Sequence, residues 1–224
     1  MKKQIQLSDH FTYKKLFRFT FPSIIMMIFT SVYGVVDGLF VSNYVGKTAF
    51  ASINLIMPFL MILGGLGFMV GTGGSALVAK TLGEGDKKNA DRYFTMMLMF
   101  TCILGAVASV AGFIFMPHIA KLLKASDEMM GDCVLYGRII IGFNIAFMLQ
   151  NVFQSFLITA ERPKLGLFIT VAAGCTNMVL DALFIAGFEW GVKGAAIATG
   201  LSQVVGGIIP LVFFMNKKNG SILH

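Results

Sequence analysis

Two acidic side chains, Asp37 and Asp181, lie inside long and otherwise uncharged apolar stretches of the sequence. Asp37 belongs to SVYGVVDGLFVSNYVG (31–46), and Asp181 belongs to CTNMVLDALFI (175–185). A carboxylate at the centre of a membrane costs roughly 2.5–3.5 kcal/mol even on a lenient insertion scale, and such groups usually mark ion pathways or proton relays. The alternative is that each acid is protonated or hydrogen-bonded and only holds neighbouring helices together.

Polar side chains recur at helical spacing around both acids. Asn177 precedes Asp181 by one turn, and Thr170 and Gly174 continue the same helix face. Three other stretches carry comparable stripes: Thr30, Tyr33 or Gly34, and Asp37; Asn144, Asn151, Ser155 and Thr159 with Gln150 and Gln154 beside them; and Thr199, Ser202 and Gln203. Facing one another, these stripes would line a cavity with carboxylate, amide and hydroxyl oxygens. The candidate lining residues are Tyr33, Asn151, Gln154, Ser155 and Gln203.

These oxygen-bearing side chains favour the binding of some ions over others and disfavour several enzymatic reactions. Oxygen ligands without His or Cys suit H⁺, Na⁺ or a similar hard ion and disfavour zinc or copper. The three histidines, His10, His118 and His224, lie outside the apolar stretches, so no intramembrane serine has a histidine base nearby. Nothing around Asp37 or Asp181 resembles an intramembrane aspartyl protease motif. The sequence therefore predicts a protein that is not an enzyme and has no cofactor beyond a proton or a hard cation bound by these oxygens; the cavity could also hold an organic cation.

The composition indicates the environment in which this chemistry occurs. Hydrophobic residues make up 56% of the 224 residues and charged residues 13%, against about 25% charged residues in soluble domains. The net charge of +7 is spread over short clusters between apolar runs, which does not indicate a nucleic-acid partner. A polytopic protein surrounded by membrane lipid is predicted.

Six apolar runs are long enough to span a bilayer, which takes about 20 helical residues. They are residues 19–46, 48–79, 93–117, 139–160, 165–188 and 194–216. The predicted fold is all-α, with an amphipathic N-terminal segment at 1–18, a six-helix transmembrane lobe at 19–216 and a tail at 217–224. Pro22 in the first span and Pro58 in the second favour bends, because proline cannot donate a helical hydrogen bond. Pro22 is the candidate hinge.

The distribution of basic residues predicts the orientation. Thirteen of the eighteen Lys and Arg residues fall on the side that holds both termini. Short cytoplasmic loops keep the excess of positive charge. Both termini are therefore predicted to be cytoplasmic, in a multi-pass protein of the plasma or inner membrane.

The second span carries a small residue at every fourth position: Gly67, Gly71, Ser75, Ala79 and Gly83. In lipid, such a ladder lets another helix approach closely, because packing drives the association of membrane helices. The glycine-rich stretch lacks the GxxxxGK[ST] pattern of a phosphate-binding loop. We interpret it as a helix-packing surface.

Four segments together resemble the multidrug and toxic compound extrusion (MATE) family, and the resemblance covers nearly the whole chain. They are FPSIIMMIFTSVYGVVDGLFVSNYVG; GTGGSALVAKTLGEGDKKNA; AERPKLG; and CTNMVLDALFI followed by WGVKGAAIATGLSQ. The first segment holds Pro22 fifteen positions before Asp37. Each segment is a weak signal alone, and the combination is specific.

The resemblance implies a secondary transporter built from two six-helix lobes around an alternating-access cavity, driven by H⁺ or Na⁺. It implies export of organic, lipophilic and cationic drug-like compounds. It also implies a cation site in the first lobe, and those roles fall on Asp37, Asn177, Asp181 and Thr199, with Na⁺ as the possible metal. Because family members have about twelve helices, these 224 residues are expected to be a fragment, a truncated gene product or a half-transporter, and transport is expected to need the second lobe or a second copy.

Two other functions remain open at this stage. One is a flippase for a lipid-linked precursor, whose pyrophosphate would call for Arg or Lys inside the cavity. The predicted spans contain no Lys or Arg. The other is a membrane assembly subunit or truncated half-transporter that transports nothing.

Overall fold

The computed structural model describes residues 12–216 and Leu223, except for the side chains of Lys15 and Arg18. Every element in this part of the chain is helical. Seven α-helices follow one another, and two of them continue directly into a short π-helical turn. They are α1 (Tyr13–Phe40) with the first π-turn (Val41–Val45), α2 (Lys47–Gly83), α3 (Lys87–Leu122), α4 (Asp127–Gly142), α5 (Asn144–Thr159), α6 (Pro163–Asp181) with the second π-turn (Ala182–Gly187), and α7 (Gly191–Met215).

The helices have the length and composition of membrane spans. Five of the described helical segments are long and apolar enough to cross a bilayer, and the count is six when α4 and α5 form one bent crossing. The prediction of an all-α polytopic membrane protein is confirmed. Residues 1–11 and most of the predicted tail at 217–224 lie outside the described residues, so the cytoplasmic placement of both termini remains a prediction.

The fourth crossing differs from the single span predicted at 139–160. It consists of α4 and α5, which meet at Phe143 with a bend of 58°. Residues 118–132 (HIAKLLKASDEMMGD), a polar segment between the third and fourth predicted spans, contain the end of α3 and the first turns of α4. Asp127 and Glu128 occupy the first turn of α4, where carboxylates interact favourably with the helix dipole. This earlier start places Arg138 inside a helix of the fourth crossing, although the predicted spans contained no basic residue.

The prolines do not mark the sharpest break. α1 and α2 continue as single helices past Pro22 and Pro58. The 58° bend occurs at Phe143, which is not followed by a proline. The Phe143 ring lies where a Cβ on Gly200 of α7 would be, so the bend inserts an aromatic ring between the fourth crossing and α7. The role of Pro22 as a hinge remains a prediction.

Glycines let α2 and α5 pack with their backbones almost in contact. A Cβ atom on Gly67 would lie 2.8 Å from Met148 Cα, and one on Gly71 would lie 2.9 Å from Val152 Cα. At Gly83, the last member of the predicted ladder, a Cβ would meet nothing within 4 Å. The close approach of α5 is therefore at the first two positions of the ladder.

Two apolar clusters fill the bundle, one towards each end. The cluster near the chain termini is aromatic: Phe94 lies 4.8 Å from Phe156 and 4.9 Å from Phe214 between ring centroids, which joins α3, α5 and α7. The cluster at the opposite end is mainly aliphatic and includes Ile56 and Ile185. α1 contributes little to either cluster and packs mainly on α6. This helix leaves most of its apolar surface exposed.

The start of α3 is capped by Asp86, which gives a testable pH dependence. Its Oδ1 accepts from the Asn89 backbone N–H at 3.1 Å, and its Oδ2 accepts from the Asn89 side-chain amide at 2.6 Å. Hydrogen bonds to the charged form lower the pKa of Asp86 below its usual value. The stability from this cap is therefore fully present above the unfolded-state pKa of about 3.9. It is lost as the pH falls through the lower folded-state pKa.

We expect Asp86→Ala to reduce amide hydrogen-exchange protection at Asn89 at pH 7, because its backbone N–H loses its side-chain acceptor. In the native chain this protection should persist at pH 5. Asp127→Ala removes an acid from the first turn of α4 and should leave α3 unchanged. Equal protection in Asp86→Ala and the native chain would contradict the capping role.

Candidate ion-binding site

Asp37 and Asp181 lie side by side, although 144 positions separate them in the sequence. Their carboxyl groups are within hydrogen-bonding reach of each other, so one can donate to the other when it carries a proton. The pairing follows from the contact between α1 and α6. A Cβ on Gly174 would lie 2.5 Å from the Phe29 ring and 3.0 Å from the Tyr33 ring, so only glycine lets α1 come this close.

Asp181 is fully buried and Asp37 is half-buried, and three of their four carboxylate oxygens are buried without a hydrogen-bond partner in the described structure. Asp181 is 0% exposed, and neither of its carboxylate oxygens has a hydrogen-bond donor; the same holds for Oδ1 of Asp37. Two unit negative charges about 4 Å apart repel by about 4 kcal/mol at an effective dielectric constant of 20. Burial adds a desolvation penalty for each charge. The pair therefore needs a proton or a bound cation to be stable.

Asn177 and Thr199 surround the pair with further unpartnered oxygens. Asn177 lies one turn before Asp181 on α6 and is 1% exposed, and neither atom of its carboxamide has a partner in the described structure. Thr199 on α7 has a buried hydroxyl that is also without a partner. Buried polar groups are normally hydrogen-bonded, so this set of unsatisfied oxygens is what a site for a hard cation requires.

Tyr136 on α4 completes the site and was missed by the sequence analysis. Its side chain is 1% exposed, and its hydroxyl is close to that of Thr199 and within the electrostatic reach of Asp37 and Asp181. The residue stands between the predicted polar segment and the predicted fourth span. The spacing of the buried residues around it signals a helix, because Cys133, Tyr136, Gly137 and Ile140 lie at i, i+3, i+4 and i+7.

Both acids are followed at once by a change in helix geometry. Asp37 lies in the last turn of α1 before the first π-turn, and Asp181 is the last residue of α6 before the second. The two π-turns contact each other. Single π-helical turns occur frequently at functional sites. Here they place a locally widened backbone beside each carboxyl group.

A cavity of about 570 Å³ between α1 and α2 reaches the acid pair from the side of Asp37. Its wall combines polar residues such as Ser31 and Asn54 with the apolar Phe50 and Met57. None of the five residues predicted to line a cavity belongs to its wall. Its volume falls in the range of about 300–1,000 Å³ that is typical of small-molecule sites.

The five residues predicted to line a cavity lie in different parts of the structure. Tyr33 lies one turn from Asp37 and within its electrostatic reach, and Gln203 lies one turn beyond Thr199 with its Oε1 buried and unpartnered. Ser155 faces Gly71 at the contact between α2 and α5, and Asn151 donates to the Phe147 carbonyl of its own helix at 2.9 Å. Gln154 is half-buried on α5. A lining role for these residues remains a prediction.

The fold and the site define a polytopic helical membrane protein with an acid pair between α1 and α6. The MatE family profile matches residues 22–183, which include both acids. The chain therefore belongs to the MatE family.

Similar proteins support this assignment and show a difference in length. The multidrug export protein MepA of Staphylococcus saprophyticus is 25% identical over 207 residues, which are 92% of this chain and 46% of that protein. MepA of Staphylococcus haemolyticus is 23% identical over 206 residues, with the same coverage. The chain thus spans about half the length of the curated relatives it matches.

Solved structures of transporters share the fold. The outward-facing conformation of a multidrug resistance MATE family transporter of the MOP superfamily matches with a TM-score of 0.87 and 26% identity, over 94% of this chain and 46% of that chain. MATE in the straight conformation matches with a TM-score of 0.86 and 26% identity, over 94% and 46%. The described helices therefore have the arrangement of one lobe of such a transporter.

Proposed function

We propose that the chain is one lobe of a secondary transporter that exports organic, lipophilic cations in exchange for H⁺ or Na⁺. The observation that carries the proposal is the pair of Asp37 and Asp181, surrounded by unpartnered oxygens of Asn177 and Thr199. Drugs are proposed as the exported compounds because the similar proteins are a multidrug export protein and a multidrug resistance transporter. The chain's relatives are about twice as long, so a second lobe or a second copy would complete the transport pathway.

In the proposed mechanism, the coupling ion neutralises the acid pair from one side of the membrane. A proton would bridge the two carboxyl groups, whereas Na⁺ would be coordinated by the carboxylates, the Asn177 carboxamide and the Thr199 hydroxyl. Either ion removes the repulsion between the acids and so changes how α1 packs on α6. Each positive charge that moves down a potential of 100 mV supplies about 2.3 kcal/mol, which is enough to support a concentration gradient of several tens-fold.

The cavity between α1 and α2 is the proposed place for the exported compound. Asp37 lies in its wall, so an organic cation there would interact with the same carboxylate that takes the coupling ion. Competition between the two ligands for one charge would couple their transport. Phe50 and Met57 would contact the apolar part of the compound.

Hydrolysis by the two acids is not proposed. An aspartyl protease must admit a peptide bond and a water molecule between its carboxyl groups, whereas Asp181 is fully buried in the described structure. The flippase alternative is not favoured either. Neither acid forms an ion pair with a described Lys or Arg, and Arg138 lies about 200° around α4 from Tyr136, on the far side of the helix from the site.

The test is transport of a cationic dye by the chain reconstituted in liposomes. We expect an outwardly directed gradient of H⁺ or Na⁺ to drive ethidium uptake, and Asp37→Asn together with Asp181→Asn to reduce it at least tenfold. Lys193→Gln, which removes an exposed charge near Trp190, serves as the control and should transport normally. Uptake by the double variant at the native rate would refute the coupling role of the acids.

A further inference from the structure

Arg138 donates a hydrogen bond to a backbone carbonyl of α3 that has no helical N–H donor. Pro117 of α3 has no N–H, so the carbonyl of Phe113 four residues earlier loses its helical donor. Arg138 Nε donates to this carbonyl at 3.3 Å. The guanidinium carbon also lies 4.9 Å from the centroid of the Phe113 ring, within the range of a cation–π contact. These two contacts fix the position of the guanidinium group.

The rest of the guanidinium group is available for a ligand. Arg138 uses only Nε in the hydrogen bond to Phe113, and its two terminal nitrogens have no acceptor and no acidic partner within the described structure. These nitrogens form the fork that binds phosphate or carboxylate with two parallel hydrogen bonds. An unpaired arginine in an apolar helix is costly, so an anionic ligand would stabilise it.

A groove between α3 and α4 extends from this arginine towards the polar segment around His118 and Lys121. It has a volume of about 610 Å³ and is lined by Arg138 together with Phe113, Pro117, Val134 and Leu135 among others. Its surface is almost entirely apolar apart from the guanidinium group. Phe113 is 50% exposed and Leu135 is 42% exposed. No other described element covers this face.

The groove continues towards the middle of the bundle. A second apolar groove of about 290 Å³ shares Phe113 with the first and extends along Val110 and Ser109 of α3 to Ile141 and Gly142 of α4. Arg138 and Phe113 therefore lie where the two grooves meet. The first groove extends from them towards the polar segment around His118 and Lys121, and the second extends away from it with almost entirely apolar walls. The polar segment marks the membrane surface.

The depth of Arg138 fits the phosphate level of a bilayer. Arg138 is level with Phe113 of α3, which is five residues, or about 7.5 Å along the helix axis, from His118 at the start of the polar segment. Side chains on a helix point towards its N-terminus, which for α4 is the end with the polar segment. The guanidinium group therefore reaches from the apolar region towards the interface, as snorkelling basic residues do.

We propose that this groove binds a glycerophospholipid of the surrounding bilayer, with the lipid phosphate on the Arg138 guanidinium group. One acyl chain lies along the second groove to Gly142. The site takes an anionic lipid such as phosphatidylglycerol, because it offers one cation and no group that would bind a headgroup amine. The lipid there fills the space beside the 58° bend between α4 and α5.

The test is native mass spectrometry of the purified chain in detergent with added phosphatidylglycerol. We expect a lipid-bound species in the native chain and a bound fraction at least fivefold lower in Arg138→Gln. Gly131→Phe is a second variant, because Gly131 lines the groove and a Cβ there meets nothing within 4 Å. It blocks the groove without touching the bond to Phe113, and it should lower binding equally.

Two controls make the result specific. Lys193→Gln removes a basic residue elsewhere and should bind the lipid like the native chain. Diacylglycerol has the same acyl chains without a phosphate and should bind at least fivefold less than phosphatidylglycerol. Equal lipid binding by the native chain, Arg138→Gln and Gly131→Phe would overturn the proposal, and so would equal binding of the two lipids.

Discussion

Asp181→Asn is expected to abolish the response of the protein's unfolding temperature to Na⁺ or to acid in detergent. In the native chain, the proposed coupling ion would bind only the folded state and so would stabilise it. An ion present at about 100 times its dissociation constant contributes about 2.7 kcal/mol, which corresponds to roughly 5–10 °C for a protein of this size. Differential scanning fluorimetry with increasing NaCl and decreasing pH measures the effect.

The variant should also be at least as stable as the native chain when no coupling ion is present, because the neutral amide removes the repulsion between Asp37 and Asp181. Asp37→Asn should behave in the same way, since either acid alone can stay charged at lower cost. Glu84→Gln removes an exposed acid, 62% accessible at its side chain, and should keep the native response. An ion response of native size in Asp181→Asn would rule out the acid pair as the ion site.

Gly71→Leu is expected to produce a large loss of stability. Its Cβ would lie 2.9 Å from Val152 Cα and 3.2 Å from the Ser155 hydroxyl, so α2 and α5 must move apart. Overpacking typically costs about 1–3 kcal/mol, and a backbone cannot yield as a side chain can. We expect the upper part of this range and a fall in unfolding temperature of roughly 10 °C.

Gly73→Leu is the matched control for this change. Gly73 is exposed on the same helix two residues later, and a Cβ there meets nothing within 4 Å. Leucine at this position should leave the unfolding temperature within about 2 °C of the native value, because it adds an apolar side chain to an open face. Similar destabilisation by both substitutions would show that the close approach of α2 and α5 is not what Gly71 provides.

Much of the fold could be predicted because hydrophobic run length is a strong signal. Five of the six predicted spans correspond to described helices, whose ends extend beyond the apolar runs since charged residues such as Lys80 continue the helix. The fourth crossing was harder to predict. The first turns of α4 are polar, and the bend at Phe143 results from packing against Gly200 rather than from a proline.

The site could be predicted only in part, for a physical reason. Helical periodicity places Asn177 and Asp181 on one face of α6, but it does not show which face of α1 packs against them. The contact depends on Gly174, where the missing side chain admits Phe29 and Tyr33. Tyr136 was missed because it lies between the predicted polar segment and the predicted fourth span. A single tyrosine at such a position does not indicate an ion-binding site. The cavity between α1 and α2 forms because the two helices diverge, and no local sequence pattern indicates that divergence.

The uneven attachment of α1 has a mechanical consequence. One acid of the pair stands on a helix that shares few contacts with the remainder of the bundle, and the other stands on α6, which is wedged between α1 and α7. Displacing α1 would disturb little of the hydrophobic interior, so the proposed neutralisation of the carboxyl groups is expected to shift this helix at low energetic cost. The acid pair lies at the junction between this weakly packed helix and the rest of the bundle.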